Sequence, residues 1–263
     1  MLADYECFRF RFDNIEHDVY RAGEGPAVIV VHEIPGITPE VLRFAGYVRQ
    51  AGFRVYLPHL FGVPGKPVSS GYIASSFFRA CISREFKVLA RNEASPVTNW
   101  LRALAREAFR ECGGSGVGAL GMCLTGNFAL AMMIDPAVQA PVLSQPSLPL
   151  PISPSHRQAL HLASRQLQIV RERVRSGCPV LGLRFTHDFA CPPERFQRLR
   201  EELGNGFEAI EIDSSPGNPH GISPRAHSVL TVDFVDQEGH PTKQALERVL
   251  AFFRARLHTG TQA

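Results

Sequence analysis

The chain opens on Cys7-Phe8-Arg9-Phe10-Arg11-Phe12, where apolar and polar side chains alternate with a period of two. Successive side chains of a strand point to opposite faces, so the alternation predicts a strand with one covered and one wet face. The stretch through Val19-Tyr20 is placed to return beside it at a sheet edge. A different pattern follows Gly23-Glu24-Gly25-Pro26, because Ala27-Val28-Ile29-Val30-Val31 is apolar without a break. Such a run predicts a strand buried on both faces, as in parallel sheets covered by helices on either side.

The period then switches. Thr38-Pro39-Glu40 offers a helix cap followed by proline in the first turn, Gly52 ends that helix, and Phe53-Arg54-Val55-Tyr56-Leu57 supplies the next strand. Farther along, the spacing predicts helices over about 96–111, 124–133, 155–175, 193–203 and 242–257, with strands near 116–120, 141–143, 179–185 and 207–212. Strands alternating with helices define an α/β fold: a doubly wound, mostly parallel sheet with helices on both faces. The 263 residues suit a single domain of this kind. The irregular stretches Gly62 to Arg91 and Gln145 to Pro154 stand apart, and the segments 62–91 and 145–176 are candidates to cover a site.

Composition narrows the function classes. Lys and Arg number 28 against 25 Asp and Glu, a formal charge of +3 spread along the chain, which predicts no preference for nucleic acid or membrane. No apolar run approaches the roughly 18–20 residues of a bilayer span, and the charged N-terminal stretch lacks the apolar region of a secretory signal. Cys7, Cys81, Cys112, Cys123, Cys178 and Cys191 are scattered, with no CxxC pair and no histidines at zinc-finger spacing. They predict neither a disulfide framework nor a structural metal site, and a reducing cytoplasm is the expected setting.

The chemistry concentrates in Val117-Gly118-Ala119-Leu120-Gly121-Met122-Cys123-Leu124-Thr125-Gly126-Asn127-Phe128. A short apolar strand runs through a glycine-flanked turn into an apolar helix, the setting of a nucleophile elbow, where a sharp turn lifts one side chain above the sheet beside a helix N-terminus that favours negative charge. A buried structural cysteine is the competing reading. A nucleophile needs a base and an orienting acid, which follow it in the order acid, then histidine, in hydrolases of this fold. Asp188 stands just past the run Pro179–Phe185, at a strand's carboxyl end; a turn or cap role ahead of Pro192-Pro193 is its alternative. For the histidine there are three candidates, His220, His227 and His240, of which His220 and His227 share the loop after the strand at 207–212.

These segments resemble the dienelactone hydrolase family of α/β-hydrolases. The resemblance rests on His32-Glu33-Ile34-Pro35-Gly36 after an early strand, on Gly121-Met122-Cys123-Leu124-Thr125-Gly126, on Asp188 ahead of Pro192-Pro193, and on Ala226-His227-Ser228-Val229. It implies Cys123 as nucleophile, His227 as base, Asp188 as its acid, and the backbone N–H groups of Ile34 and Leu124 as an oxyanion hole. It also implies that Glu33 modulates the thiol, holding it at rest and yielding when substrate binds. Thr125 stands where the family usually has glycine, Ala226 replaces the glycine before the histidine, and Pro35 replaces an aromatic residue.

The implied activity is cleavage of a small ester or lactone through a thioester intermediate, with no cofactor or metal. A thioesterase or general carboxylesterase of the same fold, and a non-catalytic binding module, are the alternatives. For an anionic substrate, Arg79 and Arg84 are the candidates to grip a carboxylate, with a solvated helix face as their other reading. The sequence leaves monomer or homodimer open.

Overall fold

A computed structural model describes residues 2–69, 71–73, 75–76 and 96–258. Arg79, Arg84 and Cys81 lie outside the described residues, as does most of the 62–91 segment. Among the described residues eight strands form one sheet: β1 (Glu6–Phe12), β2 (Ile15–Ala22), β3 (Ala27–Val31), β4 (Arg54–Pro58), β5 (Val117–Met122), β6 (Val138–Ser144), β7 (Val180–Phe185) and β8 (Phe207–Ile212), in the order β1-β2-β4-β3-β5-β6-β7-β8. β2 pairs antiparallel with both β1 and β4, and all other pairings are parallel. The alternating N-terminal run thus makes the edge hairpin, and β3, β5 and β7 are buried along their whole length.

Two apolar layers cover the sheet. On one face lie α1 (Pro39–Gln50) and α7 (Pro241–Leu257), packed through Val41, Phe44, Val48, Val249 and Phe253 on Val28 and Val30. On the other lie α2 (Pro96–Cys112), α3 (Phe128–Met132), α5 (Ser164–Arg175) and α6 (Pro193–Leu203). In α2, Val97, Trp100, Leu101, Leu104, Ala105 and Ala108 recur at helical spacing and are all buried, so one stripe of the helix meets Ile29 and Ala119. Thr38 caps α1 by accepting from Val41 N, ahead of Pro39. Among the described residues no helix is long and apolar enough to cross a membrane.

Two predicted helices differ from the structure. The stretch 124–133 begins as a 3-10 turn, Cys123–Thr125, and becomes α-helical only over α3, because the chain must first round the elbow. The helix expected over 155–175 divides into α4 (Pro154–Gln158) and α5, with His161 at φ 59° between them. Arg195 on α6 explains the break: its guanidinium is fully buried and donates to Ala159 O, His156 O, Pro146 O and Pro149 O. A tertiary donor that captures these carbonyls competes with a continuous helical ladder.

The topology places a crevice. From β3 the chain leaves through α1 on one face toward β4, whereas from β5 it leaves through α3 on the other face toward β6. Neighbouring strands whose exits diverge leave open the space beyond their carboxyl ends, where ligands of open α/β sheets bind.

Candidate active site

The turn after β5 is built around Cys123, whose φ of 53° is a left-handed backbone that few side chains adopt. The flanking glycines are required by close approach. A Cβ at Gly121 would lie 2.1 Å from Thr125 O, and one at Gly126 would lie 2.5 Å from Pro146 Cα. The carbonyl of Cys123 accepts from Gly126 N and Ser147 N, both at 2.9 Å, which fixes the turn against the loop after β6. The thiol itself is half-buried.

Asp188 and His227 come from the loops after β7 and β8. Arg184 on β7, buried, donates to Cys191 O, Thr186 O and Glu211 Oε1, and so staples both ends of the loop that carries Asp188. Asp188 Oδ1 accepts from Ala190 N at 2.9 Å, and its Oδ2 meets His227 Nδ1 at 2.7 Å. The His227 turn is closed by Asp233, whose Oδ2 accepts from His227 N at 2.8 Å and Ser228 N at 2.9 Å. With Nδ1 directed at Asp188, the second nitrogen is the one left to exchange a proton. That Nε2 is buried and, among the described residues, has no hydrogen-bond partner. Burial disfavours an imidazolium here, but the adjoining Cys123 sulfur and the Asp188 carboxylate outweigh it and raise the His227 pKa well above its ordinary value.

Glu33, in the loop after β3, completes the cluster. A Glu33 carboxylate oxygen, Cys123 Sγ and a ring nitrogen of His227 all lie within 4.8 Å of one another. Glu33 is 3% exposed, and its carboxylate is cradled: Ser228 Oγ donates to Oε2 at 2.8 Å, Gln145 Nε2 to the same oxygen at 3.2 Å, and Thr231 Oγ1 to Oε1. Burial pushes its pKa up, with the Thr231 and Ser228 hydrogen bonds and the nearby His227 pulling the other way. These three side chains could offer ligand atoms to a metal ion. Both Glu33 oxygens accept hydrogen bonds, which fixes the carboxylate beside the sulfur and the imidazole.

His220 and His240 sit elsewhere. His220 is exposed, its ring 5.5 Å from that of His240, and His240 caps α7 through Thr242 N. His32 is a buried brace: Nε2 accepts from Leu60 N at 3.1 Å, so Nδ1 donates to Glu33 O at 3.0 Å, and burial lowers its pKa to about 3. Sequence reasoning missed Gln145, Thr231 and Arg195. Ser228 falls inside the Ala226–Val229 motif; the other three had no local signal, since their partners are 36 to 198 residues away.

A mixed sheet of this order, covered on both faces and carrying a left-handed residue at the turn after β5, is the α/β-hydrolase fold. Residues 18–257 match the dienelactone hydrolase family, and the chain belongs to that family of hydrolases, whose substrates are small molecules. Solved structures of similar fold include a dienelactone hydrolase from Anabaena variabilis, at 15% identity, TM-score 0.59 and coverage of 97% of this chain and 98% of that one. A dienelactone hydrolase-like promiscuous phosphotriesterase from metagenomic libraries shares 15% identity at TM-score 0.60, covering 96% and 98%. A cold-adapted esterase from an Arctic intertidal metagenomic library shares 12% at TM-score 0.60, covering 96% and 94%. No curated protein sequence matches the chain.

Proposed function

We propose that the protein cleaves a small carboxylic ester or lactone with Cys123 as nucleophile, His227 as general base and Asp188 as the acid that orients it. One observation carries the reading: His227 is held through Nδ1 at 2.7 Å from Asp188, while among the described residues its buried Nε2 has no other partner beside the sulfur. In this reading His227 takes the thiol proton and the thiolate attacks the carbonyl carbon. The amides of Ile34 and Leu124 stabilise the oxyanion, and the departing alkoxide recovers the proton from the imidazolium. Water, deprotonated by His227, then hydrolyses the thioester, with Asp188 fixing the imidazole tautomer throughout. The sulfur and the Asp188 carboxylate, which raise the His227 pKa, favour the imidazolium that forms as the thiol proton is taken.

The test is turnover of a chromogenic short-chain ester, with iodoacetamide labelling mapped by mass spectrometry, in wild type and Cys123→Ala. Loss of turnover, and labelling of Cys123 while buried Cys178 and Cys191 stay unmodified, is expected. Undiminished hydrolysis by Cys123→Ala overturns the proposal.

A further inference from the structure

The ladder between β3 and β5 runs out where the chemistry begins. Its last pair is Val31 with Gly121, and beyond it the two chains diverge into the Glu33-Ile34 loop and the Cys123 turn. One side chain spans the gap. Thr125 is fully buried, and its Oγ1 accepts from Met122 N at 3.0 Å while lying 3.0 Å from Val31 O, 3.1 Å from His32 O and 3.0 Å from Met122 O. A hydroxyl has one proton and two lone pairs, so it is anchored to the elbow as acceptor and is placed to donate to the end of β3. The residue is the one at which this chain departs from the glycine of the motif it resembles.

We infer that Thr125 is a positioning residue: its hydroxyl takes the place of the missing backbone ladder and sets the distance between the loop bearing Ile34 N–H and the turn bearing Leu124 N–H. Ile34 follows His32 by two positions and Leu124 precedes Thr125 by one, so the two proposed oxyanion donors hang on either side of this tie. Glu33 Oε1 and Oε2 hold the same loop to the His227 turn from the other side. A loop pinned at both flanks keeps its amide in place before an oxyanion forms, which is what preorganised stabilisation requires. The inference rests on the hydrolase reading above.

The experiment compares Thr125→Val, which keeps the shape and loses the hydroxyl, Thr125→Ser, which keeps the hydroxyl, and Thr125→Gly. Two rates are read in each: kcat/KM for the chromogenic ester and the second-order rate of Cys123 alkylation by iodoacetamide. Alkylation at a carbon forms no oxyanion, so it reports the thiolate alone. Thr125→Val and Thr125→Gly are expected to lose about 10- to 100-fold in kcat/KM, mainly in kcat, because a displaced donor is weakened where charge develops. Alkylation should stay within about twofold of wild type, and serine should restore turnover. Ester turnover in Thr125→Val and Thr125→Gly equal to wild type overturns the inference, as does parallel loss of both rates, which marks general damage to the turn. Thr125→Gly decides the matter if the valine variant does not fold, since glycine removes the hydroxyl without placing an apolar branch against the Val31 and His32 carbonyls. Retained turnover in Cys123→Ala would instead remove Cys123 as the nucleophile of the proposed reaction, so the two failures are separable.

Discussion

Removing the Glu33 carboxylate tests how far the site is a packed, hydrogen-bonded unit. Glu33→Ala leaves Ser228 Oγ, Thr231 Oγ1 and Gln145 Nε2 facing a void in a site only 3% exposed. Each buried donor without an acceptor costs about 1–3 kcal/mol, and the hydroxyls can turn to recover part, so a loss on the order of 3–5 kcal/mol is expected. Glu33→Gln keeps the volume and one carbonyl acceptor, and its amide can donate to Thr231, so its cost is about 1–2 kcal/mol. The pH dependence follows from the raised pKa of Glu33. A carboxyl whose pKa rises on folding contributes stability that is fully present below the unfolded value, about 4.3, and is lost as pH rises through the folded value. Glutamine does not titrate, so the advantage of wild type over Glu33→Gln is largest near pH 4 and shrinks toward neutrality, by about 1.4 kcal/mol for each pH unit between the unfolded and folded values. Urea denaturation of the three proteins across that range, followed by circular dichroism, gives the free energies. An alanine variant within about 1 kcal/mol of wild type, or a wild-type advantage over glutamine that grows with pH, would refute the reasoning.

Two further substitutions probe the frame around the site. Arg195→Met removes the guanidinium that four carbonyls share, including those of Pro146 and Pro149 beside the elbow, and is expected to cost about 3 kcal/mol or more in urea denaturation, with ester kcat falling alongside; a midpoint equal to wild type would show the clamp to be dispensable. Gly121→Ala forces a methyl to 2.1 Å from Thr125 O and should yield unfolded or inactive protein, whereas Gly46→Ala, inside α1 with nothing within 4 Å, should stabilise by about 0.5–1 kcal/mol in the same titration.

The sequence by itself determined the alternation of strands and helices, since a β-branched run such as Val28–Val31 has no other stable burial and an alternating run such as Cys7–Phe12 only one wet face. It also marked Cys123 by its glycines, because a sharp turn between strand and helix leaves no room for Cβ atoms at Gly121 and Gly126, and that constraint is local. What lies far apart in the chain was decided by tertiary structure. Residue order left His220 and His227 in one loop as rivals, and it took the folded path after β8 to bring His227 Nδ1 to Asp188 while His220 lies edge-to-face against His240. The helix expected over 155–175 is broken by Arg195, a residue of another element, and helical periodicity has no means of registering such a competitor. Glu33 is cradled by Gln145, Ser228 and Thr231 from two other loops. Local spacing fixes which backbone a segment prefers, whereas the partners of a buried polar atom are set by the sheet order, which alone brings the ends of β3, β5, β6, β7 and β8 to one crevice.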